Sequence, residues 1–323
     1  MTHARTHAIA ATVVLMVLHA PAPAQQFPSK PIRIISPFAP GGGNAVISRT
    51  IGEKVGEAMK QQVIVDSRPG ANGIVGTELA ARSAPDGYTM VLVPSGHTVN
   101  ASLYRKLPFD PIKDFTPISL AGTSALVLVM HPTVPVKNVK DLVAFAKARP
   151  GQLTYSSAGV GASGHLAGAL FDTLTGTKMV HIPYKGSALA LTDLLGGQVS
   201  LSFATSASAM PQVRSGRLRA LASTGATRSP ALPDLPTVAE SGVPGYEASL
   251  WYAFIGPANI PADIVQKLNT EIAAAIRLPE VRDRLSGEGV DARSSTPNEL
   301  ARLMASDVKR WAGVIQRIGV RVD

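Results

Sequence analysis

The sequence predicts an α/β protein of two lobes facing each other across a cleft, and three observations carry that reading. The chain has 323 residues, more than the roughly 250–300 over which one core usually grows. Short apolar runs of strand type alternate with helical patterns, the signature of parallel sheets covered by helices. Two extended segments read as crossings, one near Leu126 to His131 and one at Leu250 to Ile255, the second bracketed by Pro230, Pro233, Pro236, Pro244, Pro257 and Pro261. Two crossings imply a discontinuous first lobe, residues 25–125 plus 249–323, and an inserted second lobe, residues 126–248.

Residues 1–24 read as a secretory signal: Arg5 between His3 and His7, an apolar run from Ala8 to Leu18, and Ala22-Pro23-Ala24 as the cleavage site, with the cut after Ala24. The run is shorter than the about 20 apolar residues that a membrane span needs. Strands are then expected at Ile32 to Ser36, Val63 to Val65, Tyr88 to Val93, Ala125 to Met130, Leu153 to Ser157, Met179 to Ile182, Val199 to Phe203 and Leu218 to Ala222. From Asn44, Ile47, Ile51, Val55 and Met59 recur four apart, one stripe of a helix that starts directly after Gly41-Gly42-Gly43. Near the end of the chain Thr296-Pro297-Asn298-Glu299 is a capping box, followed by Leu300, Met304, Val308, Trp311 and Ile315 on one face of a structural helix.

Composition narrows the function classes. Hydrophobic residues make up 45% and charged residues 16%, so a packed core is expected rather than disorder. There is no cysteine, hence no disulfide, thiolate metal site or lipid attachment through sulfur. A net charge of +9 favours anionic partners. The basic residues stand singly, as at Lys54, Lys60, Arg68, Arg82 and Arg105, with only 5% aromatics to stack bases, which argues against nucleic acid and for a small acidic solute.

Two glycine-rich strand-to-helix turns are the candidate site, one in each lobe: Phe38-Ala39-Pro40-Gly41-Gly42-Gly43-Asn44 and Ser156-Ser157-Ala158-Gly159-Val160-Gly161-Ala162-Ser163-Gly164-His165. Each offers backbone N–H groups and a positive helix end to an anion, so the pair can grip opposite ends of a dicarboxylate with help from the Ser157 and Ser163 hydroxyls. The plainer alternative is a tight connection that needs glycine for its geometry alone. Ser95, Thr98 and Asn100 follow a strand and fall near the first turn, either as ligand contacts or as the start of a helix. Thr205 is the corresponding candidate after the strand at Val199 to Phe203.

Gly159–Gly164 also satisfies G-x-G-x-x-G, which keeps a secreted, nucleotide-dependent enzyme in view. That fingerprint needs an acid at the end of the next strand, and this one ends His181-Ile182-Pro183-Tyr184-Lys185. No G-x-S-x-G elbow or H-E-x-x-H pair is present. His131 and His181 read as structural, while His97 and His165 read equally well as pocket-lining or structural. No catalytic residue, metal or cofactor is expected.

Six stretches taken together are similar to the substrate-binding subunits of tripartite tricarboxylate transporters, the Bug or TctC family: Phe27-Pro28-Ser29-Lys30-Pro31-Ile32-Arg33, Pro37-Phe38-Ala39-Pro40-Gly41-Gly42, Arg68-Pro69-Gly70-Ala71-Asn72-Gly73, Ala84-Pro85-Asp86-Gly87-Tyr88-Thr89, Tyr184-Lys185-Gly186 and Leu194-Leu195-Gly196-Gly197-Gln198-Val199. The resemblance spans essentially all of the chain after the signal. It implies a type II periplasmic-binding fold, a Venus flytrap, with a carboxylate between the two turns and Tyr184 and Lys185 near it. It also implies a monomer working with a two-subunit membrane permease. Three positions depart from the pattern: Ala45 and Thr205 stand where an acid is frequent, and Ser67 where Asn is usual. Fewer acids near the cleft would reduce any preference for ligands bearing an ammonium group.

Overall fold

A computed structural model describes residues 27–38, 40, 43–184, 186–229 and 232–321. The signal segment therefore lies outside the described residues, as do the candidate contacts Ala39, Gly41, Gly42 and Lys185. In chain order the elements are β1 (Ile32–Ser36), α1 (Gly43–Met59), β2 (Val63–Ser67), α2 (Ile74–Ala81), β3 (Thr89–Pro94), α3 (Gly96–Leu103), β4 (Phe115–Ser124), β5 (Leu126–Met130), α4 (Val139–Ala148), β6 (Thr154–Ser157), α5 (Ser163–Thr175), β7 (Val180–Pro183), α6 (Ser187–Leu195), β8 (Leu201–Thr205), α7 (Ser206–Arg214), β9 (Arg219–Ser223), β10 (Leu250–Pro257), α8 (Ala262–Arg277), α9 (Pro279–Gly287), β11 (Asp291–Ala292) and α10 (Pro297–Ile318).

These form two sheets. The first runs β11-β4-β10-β3-β1-β2 and the second β7-β6-β8-β5-β9. β1 is parallel to β2 and β3, and β6 is parallel to β7 and β8, whereas β10 is antiparallel to β3 and β4, and β5 to β8 and β9. The reversal has a simple cause. β1, β3, β6 and β8 each end where the following helix begins, while β5 and β10 carry the chain into a sheet from the end at which the other sheet lies. The starts of α1, α3, α5 and α7 thereby gather between the sheets, where ligands of open α/β folds sit.

The expected strands fall within about two residues of the observed ones, and α1 buries Ile47, Ile51 and Val55 against Ile32 and Ile34 as its spacing predicts. The chain crosses between the sheets twice, but not through the segments expected. Leu250 to Ile255 belongs to β10, a central strand of the first sheet, and Leu126 to Met130 is β5, a central strand of the second. Their alternation shows why: Trp251, Ala253 and Ile255 enter one core cluster while Phe254 enters another, and Leu126, Leu128 and Met130 are separated in the same way from Val127 and Val129. Strands buried on both faces are apolar throughout and imitate an apolar linker. The true crossings are the short step Ser124-Ala125-Leu126 and the return from Ala248 to Leu250, since Val238, Val243, Tyr246 and Ala248 still pack in the second sheet's core.

Thr224 joins the crossings to each other. Its buried hydroxyl accepts from Leu126 N–H (2.8 Å) and donates to Ala248 C=O (3.1 Å), while its own N–H donates to Leu126 C=O (2.8 Å) and its C=O accepts from Ala248 N–H (2.9 Å). Helix α10 is the second tie. Its capping box forms, with Glu299 N–H donating to Thr296 Oγ1 (3.2 Å) and Thr296 N–H to Glu299 Oε2 (2.8 Å). Leu300 and Met304 then pack into the first sheet's core, and Trp311, Val314 and Ile315 into that of the second.

Between these two halves Asp307, 1% exposed, accepts from Trp251 Nε1 (2.6 Å) and Arg310 Nη2 (2.5 Å), and Arg310 Nη1 donates to Glu247 C=O (3.0 Å). Burial raises the Asp307 carboxyl above its ordinary value, opposed by Arg310 and Trp251. Replacing Asp307 with Ala strands a buried indole N–H and leaves Arg310 only its Glu247 partners, so the expected loss is about 3 kcal/mol in urea unfolding. Thr296→Ala, which removes only the exposed cap, should cost about 1 kcal/mol.

Candidate functional site

The second glycine turn comes together with the start of α3 around a cavity of ≈ 520 Å³ between the sheets. Ser95, Ala158, Gly159, Gly161 and Ser163 line it, as the sequence suggests. So do Asn72, Gly96, Val99, Leu103, Tyr104, Val160, Leu166, Ala248, Ser249, Leu250 and Trp311, which sequence reasoning did not select. Asn72 carried one signal, its place in the Arg68 to Gly73 motif. The others come from distant parts of the chain and have no local signature. A second cavity, ≈ 610 Å³, lies on the Ser124 and Arg228 side of the crossings, but charges of both signs line it and no described residue of either glycine turn does.

Gly161 has φ +78°, and a Cβ built there would stand 2.7 Å from Leu103 Cδ2. The loop of the second lobe therefore touches α3 of the first at a position where both the backbone and the space call for glycine. Three amides of this turn serve the loop itself. Gly159 N–H donates to Ser157 Oγ (3.1 Å), Gly161 N–H to His165 Nδ1 (3.0 Å) and Ala162 N–H to Gly159 C=O (3.2 Å). The donors left to an anion are those of the first turn of α5, beginning at Ser163, which have no acceptor within the helix.

Several candidate side chains hydrogen-bond within the protein. Ser157 Oγ lies 2.8 Å from Gly159 C=O and 2.7 Å from His181 Nε2, so it braces the loop from below. Ser156 Oγ donates to Ala190 C=O (3.3 Å) and is fully buried, and Gly164 packs against Phe203 C=O. Thr98 Oγ1 donates to Ser95 C=O (2.8 Å), and Asn100 Oδ1 accepts from Asn72 Nδ2 (3.2 Å), so both stand behind the residues that line the cavity. Tyr184 OH donates to Asp193 (2.7 Å), and Thr205 Oγ1 pairs with Ser208 (2.8 Å) at the start of α7.

In the first turn, Asn44 Oδ1 accepts from Ser36 Oγ (2.9 Å) and Nδ2 donates to Leu92 C=O (3.0 Å), tying α1 to β1 and β3 rather than facing a ligand. Phe38 is half-buried with its ring beside Gly73, and Gly43 opens α1. Ala45 is fully buried. An acid the sequence did not bring to notice, Glu288, reaches this place instead: its Oε2 lies 3.7 Å from where a Cβ on Gly43 would stand.

Behind the α5 turn the His165 and His181 rings stack at 3.8 Å and 13°. Burial lowers both, and the neighbouring His165 lowers His181 further, to about 4. His181, expected to be structural, is part of the loop's support, and His165 is buried rather than pocket-lining. His97 lies in the first sheet's core between Phe109 and Phe115 with Nε2 2.8 Å from Pro111 C=O. No group of three or more metal-ligating side chains occurs among the described residues.

Residues 47–320 match the model of the tripartite tricarboxylate transporter family receptor. Protein BugT of Bordetella pertussis (strain Tohama I / ATCC BAA-589 / NCTC 13251) is 36% identical, with 94% of each chain covered. Among solved structures, an R. palustris protein with adipate is 33% identical at a TM-score of 0.75, over 91% of this chain and 99% of its own. MatC from Rhodopseudomonas palustris with bound malate is 29% identical at a TM-score of 0.71, over 90% and 100%.

The imidazole pair makes the loop sensitive to acid. A free histidine titrates at 6.5 and His181 at about 4, so between those values the unfolded chain holds a proton that the folded one lacks. The His181 contribution is whole above pH 6.5 and is lost progressively as pH falls to about 4. Melting curves of wild type and His181→Gln should therefore keep a constant separation above pH 6.5 and converge, or cross, on the way down to about pH 4.

Proposed function

The chain belongs to the tripartite tricarboxylate transporter receptor family, and from that premise we propose that it is a periplasmic solute-binding protein that captures a small carboxylate and changes nothing in it. The observation that carries the reading is the cavity between the sheets, where the first turns of α3 and α5 converge at Ser95, Gly96, Ala162 and Ser163. Helix starts concentrate partial positive charge and unpaired N–H groups, which suits a carboxylate without any basic side chain. Adipate and malate in the two related structures support the same ligand class.

In this reading residues 25–125 with 249–323 form one lobe and residues 126–248 the other. The lobes close about the crossings that Thr224 joins. Residues 1–24 direct export and are removed after Ala24. The closed monomer presents its lobes to a two-subunit permease. The nucleotide alternative loses its footing because the Gly159 and Gly161 amides, which would have to face a pyrophosphate, are spent inside the loop. The fewer-acids argument against amino acids weakens with Glu288 beside α1, so aspartate and glutamate belong in the ligand panel.

Thermal melting of the mature protein against mono-, di- and tricarboxylates, aspartate, glutamate and nicotinamide nucleotides tests this. A bound acid at a hundred times its Kd should stabilise by about 2.7 kcal/mol. A shift with nucleotide and with no acid would overturn the reading. Gly161→Ala forces a side chain into left-handed backbone at a cost of about 1–2 kcal/mol. It should weaken carboxylate binding about tenfold by calorimetry.

A further inference from the structure

The loop from Ala158 to Ala162 lines the cavity and rests on an imidazole. Gly161 N–H donates to His165 Nδ1 (3.0 Å), so the neutral His165 ring carries its proton on Nε2. His181 stacks behind it at 3.8 Å, with Nε2 2.7 Å from Ser157 Oγ, and Ser157 Oγ accepts from Gly159 N–H (3.1 Å). Gly161 itself stands against Leu103 of α3, so whatever moves this glycine also moves the contact between the lobes.

A proton on His165 turns that bond into a conflict. An imidazolium has hydrogen on both nitrogens and no acceptor in any ring orientation, so it would face the Gly161 amide donor to donor. A buried amide left without an acceptor is costly, and the turn has to shift to find one. Burial lowers the His165 pKa from 6.5, so the neutral ring that the bond requires is the state at neutral pH, and it is lost as pH falls below 6.5 through the lowered value.

Nothing packed around the pair offsets the charge. Among the described residues no carboxylate acts on either ring, and each imidazole repels a proton on the other. Tyr155 of β6 lies 6.5 Å from the His165 ring and 5.0 Å from that of His181, and its hydroxyl donates to His165 C=O (3.4 Å). In electrostatic contact with Tyr155 are Tyr246 and Asp172 of α5. Burial keeps both phenols neutral, and Asp172 is engaged by Thr177 Oγ1 (2.6 Å) and Met179 N–H (2.9 Å).

We infer that His165 is a positioning residue worked by a proton: neutral, it holds the Gly161 turn against α3, and protonated, it releases the turn and loosens the cavity, so that solute is held at neutral pH and let go in acid. The consequence for solute rests on the proposed carboxylate-binding function, whereas the movement of the turn does not.

Nuclear magnetic resonance of the solute-free mature protein, followed from neutral pH to the onset of acid unfolding, tests the switch itself. The Gly161 amide resonance should shift with the same midpoint as the His165 ring, and its protection against hydrogen exchange should fall. A His165 ring that stays neutral throughout, or one that titrates while Gly161 keeps its shift and protection, overturns the inference.

Calorimetry with adipate tests the consequence. His165→Leu, which removes the acceptor, should bind about tenfold more weakly at neutral pH, the worth of one hydrogen bond. His165→Asn puts Oδ1 where Nδ1 accepts, without a titrating group, and should recover most of that loss. As pH falls, wild type should weaken relative to His165→Asn by up to about tenfold per pH unit, the limit for a single proton, while protonation of adipate itself weakens both alike. Parallel pH profiles for wild type and His165→Asn overturn the inference. Absence of adipate binding by all three proteins would count against the proposed function and leave the Gly161 titration to decide the switch.

Discussion

A single buried threonine ties together the two places where the chain passes between the sheets. Thr224 binds Leu126 at the start of β5 through its hydroxyl and its N–H and binds Ala248 through its hydroxyl and its C=O, so two chain crossings far apart in sequence are joined at one residue. Chain passing between lobes without a sheet around it leaves backbone groups to be satisfied locally. Thr224 does this where the next residues already belong to separate sheets. The two sheets are thereby joined at one place close to both crossings.

Helix α10 is the second connection between the sheets. Because its first half lies in one core and its last turns in the other, with Asp307 fixing it to Trp251 between them, the lobes are strapped together on one side of the crossings. The contact of Gly161 with Leu103 is made beside this strap. A side chain at 161 would push directly on α3, which explains why the turn needs glycine although its amides are not offered to the ligand. In this account glycine shapes the loop, histidine and serine brace it from behind, and the helix that follows supplies the electrostatics.

Much of this was legible in the sequence where it depended on local periodicity. The strands at Ile32 to Ser36 and Val180 to Pro183, the α1 stripe and the Thr296 cap follow from patterns spanning a few residues. β4 was missed because Pro117 and Ser119 interrupt its apolar run, and Pro117 is accommodated where its pairing with β10 shifts register. The crossings were misplaced because β5 and β10 are buried on both faces and carry no alternation. At the site, the turn around Gly159 was found, yet the work of its side chains was not. Whether Ser157 or Asn44 faces a ligand or a neighbour depends on partners such as His181 and Leu92 that come from other strands. The cavity's apolar lining was illegible for the same reason, since Val99, Leu166 and Trp311 meet only after α3, α5 and α10 have packed.

The central claim is that a carboxylate is held by main-chain donors at helix starts from both lobes. Hydrogen–deuterium exchange of the mature protein with and without a saturating straight-chain dicarboxylate tests it most directly. The account predicts slowed exchange in two separate segments, residues 96–97 and 163–165, with the amides of Gly159 and Gly161 already slow in the free protein. Protection confined to one lobe, or centred on the Arg228 and Arg293 side of the crossings, would contradict it.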